Sequence, residues 1–174
     1  MSRLIKLILK YGLILAVFCG ISGWLLSLVY EYTAPLKALN QEKAKFAGQQ
    51  KLFPELAKVV EGEVYDASGV LLGYILPVRT RGYSSDIELL VGVDPAYQIS
   101  GLQVLAQAET PGLGTRITEK SFANSLRGRA TDNLRHKKDG GAHDGITGAT
   151  ITSRAVFDGI RREIESFKKS KGVN

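Results

Sequence analysis

The sequence predicts an α+β protein in which one N-terminal transmembrane helix precedes a domain with an antiparallel β-sheet flanked by helices. Three patterns predict this fold. Residues 11–30 form an apolar run without a charge, residues 63–106 contain short strand-like stretches separated by turn residues, and residues 151–169 repeat apolar residues at helical spacing. Consecutive strands joined by short turns pair antiparallel, which gives the predicted sheet its order.

The apolar run from Tyr11 to Tyr30 is long enough to cross a bilayer, because a spanning helix needs about 20 apolar residues. The two tyrosines bracket it as interfacial aromatic residues do. Three basic residues and no acidic one lie in the first ten positions, so we expect the N-terminus in the cytoplasm and the chain after Tyr30 outside. A cleaved signal peptide is the alternative, but no small-x-small cleavage site precedes Glu31.

A juxtamembrane helix is predicted next, with Pro35 near its start and helix-forming residues after it. A short second helix is expected at residues 52–59, where Pro54 lies near its beginning. The predicted division of the chain is a cytoplasmic tip with a transmembrane anchor, a juxtamembrane helix and an extracytoplasmic domain, at residues 1–30, 31–52 and 53–174 respectively.

Strand signals occur at residues 63–66, 70–78, 87–93 and 99–106. The first two read as a hairpin, and a polar loop is expected at residues 79–86.

A helix is predicted at residues 118–126, followed by a polar loop at 127–143. The last helix, at residues 151–169, should pack on the sheet through one apolar stripe, formed by Val156, Ile160, Ile164 and Phe167.

The formal net charge of +6 is confined to the two ends of the chain. The first ten residues carry +3 and residues 154–174 carry +3, while residues 11–153 hold fourteen charges of each sign. A nucleic-acid surface has basic and aromatic residues interleaved on one face, which this distribution lacks. We therefore expect a membrane protein without a nucleic-acid partner.

Cysteine usage limits the redox chemistry, because Cys19 is the only cysteine and lies within the apolar run. The rest of the chain therefore cannot form a disulfide, a Cys-ligated iron–sulfur cluster or a Cys-x-x-Cys-His haem site. With two histidines in the whole chain, a multi-histidine metal centre is not expected, and no metal ligand or catalytic residue is predicted. Redox chemistry here would need an organic cofactor.

The segment DGITGAT, Asp144 to Thr150, comes directly before the last helix and has the composition of an anion site. The first turn of a helix leaves N–H groups unpaired and carries partial positive charge, so it can hold a phosphate. Gly148 lets the backbone approach closely, and Thr150 presents a hydroxyl. The alternative is an ordinary helix cap, with Thr147, Thr150, Thr152 or Ser153 as the N-cap residue.

Three sequences behind the single span carry a family resemblance: RGYSSDIELLVGVD (81–94), ETPGLGTRI (109–117) and DGITGATITSRAV (144–156). In this order they resemble the G subunit of the Rnf ion-translocating electron-transport complex. They also resemble the related C subunit of the sodium-pumping NADH:quinone reductase.

The resemblance implies that FMN is joined through its phosphate to the Thr150 hydroxyl, as a phosphoester, by a flavin transferase that uses FAD. Thr147, Gly148 and Ala149 complete the family's motif, and Asp144 would position a hydroxyl or a metal-bound phosphate during transfer.

The loop at residues 109–114 resembles the family's loop that lies against the flavin, which makes its members candidate cofactor contacts: Glu109, Thr110, Gly112, Leu113 and Gly114. It also has the composition of a rigid turn between a strand and a helix, with Pro111 fixing φ. Gly82 and Tyr83 match a family loop that is usually richer in glycine. Ser84 and Ser85 depart from it, so no flavin contact is assigned to this stretch.

The resemblance implies a single-pass flavoprotein of a prokaryotic inner membrane, with the FMN domain outside. It would be an electron-transfer subunit, with other Rnf membrane subunits as partners, in a complex that couples ferredoxin and NAD electron transfer to ion movement. Two alternatives stay open. One is the C subunit of the sodium-pumping reductase, and the other is a tethered binding or assembly domain without flavin, in which DGITGAT is merely a cap.

Overall fold

A computed structural model describes residues 2–131 and 134–172. Its helices are α1 (Ser2–Leu52), α2 (Lys120–Leu126) and α3 (Thr150–Ser170), with short 3-10 turns at Gly114–Thr118 and Lys137–Asp139. Its strands are β1 (Lys58–Val60), β2 (Glu63–Tyr65), β3 (Leu71–Arg81), β4 (Asp86–Val93) and β5 (Ile99–Ala106). The predicted α+β class, with its antiparallel sheet and N-terminal helix, is confirmed.

The first helix is continuous through Pro35, so the predicted span and juxtamembrane helix are one element. Within the described residues, one helix is long and apolar enough to cross a membrane, over Ile5–Leu52. The chain divides after Lys43 into two compact units, and residues 44–52 of α1 belong to the second. The functional boundaries at residues 30 and 52 stay a prediction.

All five strands pair antiparallel in chain order, β1-β2-β3-β4-β5. The polar loop predicted at residues 79–86 is shorter than expected, because β3 continues to Arg81 and β4 begins at Asp86. Outward-facing charges pair across the two strands, with Arg79 Nη2 3.1 Å and Arg81 Nη1 3.0 Å from the Asp86 carboxylate. Thr80, between these two exposed arginines, is buried, so side chains along this stretch alternate between the two faces of the sheet as in a β-strand.

The prediction of a short helix at residues 52–59 is wrong. Lys58–Val60 instead form β1 and pair with β2 through a two-residue turn in which Glu61 and Gly62 have φ of 51° and 85°, as tight hairpins require. Leu52 and Phe53 are buried because glycines in the neighbouring strands leave room for them. A Cβ at Gly101 would lie 2.8 Å from Leu52 Cδ2, and one at Gly92 would lie 3.0 Å from Phe53 Cε2.

The main core lies between α3 and one face of the sheet. The predicted stripe on α3 is confirmed, since Val156, Ile160 and Ile164 are fully buried and Phe167 packs half-buried against the same cluster. Gly159 permits close approach to β3, because a Cβ there would lie 3.0 Å from Thr80 Cβ.

The direction of α3 follows from its contacts at both ends. The Thr80 hydroxyl donates to the Ala155 carbonyl at 3.0 Å, while the Phe167 ring packs edge-on against Tyr74 with the ring centroids 5.0 Å apart. The helix therefore runs antiparallel to β3. This direction places the N-terminal end of α3 beside the 82–85 turn, which follows β3.

Candidate functional site

A cavity of about 410 Å³ opens beside the first turn of α3. Ligand sites commonly have volumes of roughly 300–1,000 Å³. Three chain segments line it: the 82–85 turn, the 109–114 loop and the start of α3. The lining residues are Tyr83, Glu109, Thr110, Leu113, Gly114, Gly148, Ala149, Thr150, Ile151 and Thr152.

The cavity brings together most of the residues predicted from the sequence, since both the DGITGAT motif and the 109–114 loop contribute to it. Asp144, Thr147 and Gly112 are not among its lining residues. Asp144 is exposed and its Oδ2 lies 2.5 Å from Lys137 Nζ. Gly112 adopts a φ of 75° in the loop, and its N–H donates to the Thr115 hydroxyl at 3.0 Å.

Thr150 is the first residue of α3. The N-cap residue is Ala149, whose methyl side chain cannot accept a hydrogen bond from the helix. None of the hydroxyl residues considered as N-caps occupies that position. The Ser153 hydroxyl accepts from the Ile146 N–H at 2.9 Å and donates to the Ala149 carbonyl at 3.0 Å, so it braces the loop that enters the helix.

The first turn of α3 has open hydrogen-bond donors. In the described part of the chain, the backbone N–H groups of Thr150, Ile151 and Thr152 donate no hydrogen bond. These three residues line the cavity, and the helix dipole adds partial positive charge at the same place. The arrangement suits an anion such as a phosphate.

Gly148 has a φ of 82°, in the left-handed region that favours glycine. A Cβ there would lie 2.8 Å from Leu113 Cδ2, so the motif and the 109–114 loop lie close together at this position, and a larger residue would displace the Leu113 side chain.

Glu109 is 4% exposed and accepts hydrogen bonds from both sides of the cavity. Its Oε1 accepts from the N–H groups of Ser84 and Ser85, each at 2.9 Å. Its Oε2 accepts from the Tyr83 N–H at 3.2 Å and from the Thr152 hydroxyl at 2.6 Å. Burial raises the pKa of this carboxyl, but the Thr152 hydroxyl and the three backbone donors together lower it below its usual value. The group is therefore an ionised carboxylate at neutral pH.

Two glycines leave space for this carboxylate. A Cβ at Gly82 would lie 2.5 Å from Glu109 Oε1, and one at Gly114 would lie 2.8 Å from Oε2. Both distances are shorter than van der Waals contact, so a side chain at either position would clash with the carboxylate in this tightly packed interior.

Exposed apolar side chains surround the opening of the cavity. Tyr83 is 67% exposed, Ile151 52% and Leu113 43%. Exposed apolar surface around a concavity indicates a binding surface. Sequence reasoning assigned no site role to Ile151 or Thr152 and left Tyr83 unassigned. The sequence offered one signal for these three residues, which is that they lie close in the chain to residues of the family's motifs.

Comparison with known proteins agrees with this geometry. Residues 82–165 match the model of the FMN-binding domain family, so the chain contains such a domain. The chain is 31% identical over 167 residues to the G subunit of the proton-translocating ferredoxin:NAD(+) oxidoreductase complex of Clostridium ljungdahlii, covering 91% of this chain and 90% of the relative. It is 31% identical over 185 residues to the G subunit of the ion-translocating oxidoreductase complex of Methanosarcina acetivorans, covering 96% and 98%.

The chain belongs to the family of G subunits of ion-translocating oxidoreductase complexes. The predicted resemblance is thereby confirmed. With its apolar N-terminal helix, the protein is membrane-associated. Among solved structures, it resembles the crystal structure of the C subunit of the Na(+)-translocating NADH-quinone reductase from Parabacteroides distasonis, with 25% identity, a TM-score of 0.47 and coverage of 63% of this chain and 58% of that one.

Proposed function

We propose that this protein carries FMN covalently on Thr150 and relays electrons between the redox centres of partner subunits in an Rnf-type complex. The observation that carries the proposal is the open first turn of α3. There, three N–H groups without a hydrogen-bond partner in the described chain lie beside Thr150 in the same cavity. The match of residues 82–165 to the FMN-binding domain family supports FMN as the group.

The residues of the cavity fit both ends of FMN. The N–H groups of Thr150, Ile151 and Thr152 would bind the phosphate oxygens, assisted by the dipole of a helix that continues to Ser170. The exposed apolar side chains of Tyr83, Leu113 and Ile151 would contact the ring system. When bound, FMN supplies the one- and two-electron chemistry, while the protein orients it and sets its electrostatic surroundings.

Attachment requires a group transfer that a separate flavin transferase would catalyse, with FAD as the donor. The Thr150 hydroxyl oxygen forms a bond to the phosphorus of the FMN half, and the bond from that phosphorus to the bridging oxygen breaks. AMP leaves with the bridging oxygen and takes up the hydroxyl proton. The product is a phosphoester. Thr150 is half-buried at the edge of an open cavity, which leaves its hydroxyl accessible to the transferase.

The basic N-terminal flank supports an orientation with the N-terminus in the cytoplasm and the FMN domain outside. The Clostridium relative is named as a subunit of a proton-translocating ferredoxin:NAD(+) oxidoreductase complex. By analogy, this protein would assemble with other membrane subunits and transfer electrons within a complex that moves ions. Covalent attachment would prevent loss of the flavin by dilution outside the cell.

The test is the intact mass of the full chain produced together with a flavin transferase and FAD. We expect a gain of one FMN less one water, and a peptide carrying that mass on Thr150. The rival function, a tethered binding domain without flavin, predicts a protein with an unchanged mass and no visible absorbance. Flavin on a different hydroxyl would also contradict the proposal.

A further inference from the structure

The Glu109 carboxylate has no free acceptor site. An ionised carboxylate has about four lone-pair positions. Oε1 accepts from the N–H groups of Ser84 and Ser85 and is 3.4 Å from the Ser85 hydroxyl, and Oε2 accepts from the Tyr83 N–H and the Thr152 hydroxyl. A ligand in the cavity would therefore find this carboxylate already fully engaged by the protein.

These hydrogen bonds join two separate walls of the cavity. The backbone donors belong to the 82–85 turn, which carries Tyr83, whereas the hydroxyl donor belongs to Thr152, two residues after Thr150 in the same helical turn. Three successive N–H groups that converge on one anion form a rigid backbone nest. Gly82 and Gly114 lie beside the carboxylate, where a Cβ would come within 2.5 Å and 2.8 Å of its oxygens.

We propose that Glu109 is a positioning residue, whose carboxylate ties the 82–85 turn to the first turn of α3 and so fixes Tyr83 relative to the flavin carried by Thr150. The positioned object is FMN, so the inference rests on the proposed function. In this role Glu109 acts through its hydrogen bonds to Tyr83 and Thr152.

Glu109→Gln tests the charge, because glutamine keeps the shape of the side chain but replaces one carboxylate oxygen by an NH2 group. That group cannot accept a hydrogen bond from the backbone N–H donors of the 82–85 turn. Thr152→Val tests the link to α3, because it removes the hydroxyl and keeps the branched shape, while Thr152→Ser retains the hydroxyl. Glu88→Gln is the matched control. Glu88 is a half-buried carboxylate on β4, away from the cavity, and its Oε1 lies 3.9 Å from Arg79 Nε.

The first experiment measures amide hydrogen exchange in the full chain prepared without flavin. In Glu109→Gln we expect the N–H groups of Ser84 and Ser85 to exchange about tenfold faster or more, since hydrogen bonds to a charged acceptor are among the stronger ones. Glu88→Gln should leave them unchanged. Exchange rates at these two amides that match the wild type in Glu109→Gln would overturn the inference.

The second experiment uses flavin-loaded full chain at equal flavin content and measures visible circular dichroism and flavin fluorescence. We expect Glu109→Gln and Thr152→Val to change both spectra in the direction of Tyr83→Leu, with no further change in a Glu109→Gln/Tyr83→Leu double variant. Thr152→Ser should retain the wild-type spectra. A lower melting temperature with unaltered flavin spectra would mean that Glu109 is only structural, which would refute the positioning role.

The two experiments separate this inference from the proposed function. If the wild-type chain never acquires FMN, the proposed function fails, and the positioning of a flavin fails with it. Hydrogen exchange then still decides whether the Glu109 carboxylate holds the 82–85 turn. If FMN is attached to Thr150 but its spectra do not respond to Glu109, the proposed function stands and the inference fails.

Discussion

The Thr152 hydroxyl donates a 2.6 Å hydrogen bond to Glu109 Oε2, and this contact joins two residues that lie 43 positions apart in the chain. It brings the 109–114 loop against the first turn of α3, and the cavity lies between them. The remaining acceptor sites of the same carboxylate hold the 82–85 turn. One buried carboxylate therefore belongs to the 109–114 loop and accepts hydrogen bonds from both the 82–85 turn and α3.

Attachment should require the Thr150 hydroxyl. Thr150→Ala should abolish the covalent flavin and change the free energy of unfolding by no more than about 0.5 kcal/mol, because the hydroxyl makes no hydrogen bond within the described chain. Thr150→Ser should retain some attachment. Ser170→Ala is the matched control, since Ser170 is an exposed hydroxyl residue at the other end of α3 and does not line the cavity. In-gel flavin fluorescence and mass spectrometry measure this, and flavin retained in Thr150→Ala would contradict the assignment.

Topology is predicted from the basic N-terminal flank and the uncharged run that follows it. A reporter that is active only outside the cytoplasm should be active when fused after Asn174, and a cytoplasm-specific reporter at the same position should be inactive. The opposite pattern would place the cavity in the cytoplasm and would remove the reason given for covalent attachment.

Gly114→Ala should disrupt the site by overpacking, because its Cβ would lie 2.7 Å from Glu109 Cβ and 2.8 Å from Oε2. We expect a loss of about 1–3 kcal/mol in the free energy of unfolding together with reduced flavin attachment. Gly69→Ala is the comparison, because that turn glycine has a φ of 80° but open space where its Cβ would lie. It should cost stability without changing flavin content, and equal flavin content in both variants would refute the steric argument.

Glu109 should also influence the flavin potential through its charge. A carboxylate near the ring disfavours the anionic reduced form, so Glu109→Gln should raise the midpoint potential while leaving FMN attached. Thr152→Val retains the charge and breaks only the link to α3, so its potential should stay closer to that of the wild type. Redox titration of the loaded chain measures both. A wild-type potential in Glu109→Gln would show that the charge has no electrostatic effect on the flavin.

Stability should fall in mild acid because of His143, which is buried in the loop before the motif. Burial lowers the pKa of this imidazole, and Arg129 and Lys137 lower it further, while Asp144 acts in the opposite direction. As the pH falls below the unfolded value of about 6.5, the unfolded chain takes up a proton that the folded chain resists, so the folded state loses up to about 1.4 kcal/mol per pH unit.

The measurement is urea unfolding of the full chain in detergent between about pH 5 and pH 7, the range around the ordinary histidine pKa. His143→Gln removes the titrating group, so its stability should vary less steeply with pH than that of the wild type. Identical slopes for the two proteins would exclude His143 as the cause.

Local patterns in the sequence determined much of this protein. The uncharged run, the strand-like stretches separated by turn residues and the apolar stripe on α3 are each set by the order of neighbouring residues, and the structure has all three. The DGITGAT segment indicated a helix start with open donors, and α3 begins at Thr150 with its first-turn N–H groups unpaired in the described chain. These features were predictable because period and helix-end chemistry depend on residues a few positions apart.

Tertiary contacts decided the rest. The stretch at residues 58–60 became a strand, because β2 supplied its partner and the glycines of β4 and β5 received Leu52 and Phe53. The role of Glu109 is likewise invisible in the local sequence. Its hydrogen-bond partners lie 24 to 43 positions away, so they meet only after β3, β5 and α3 have packed. Residue spacing fixes local conformation, but only packing determines which distant donors surround a buried charge.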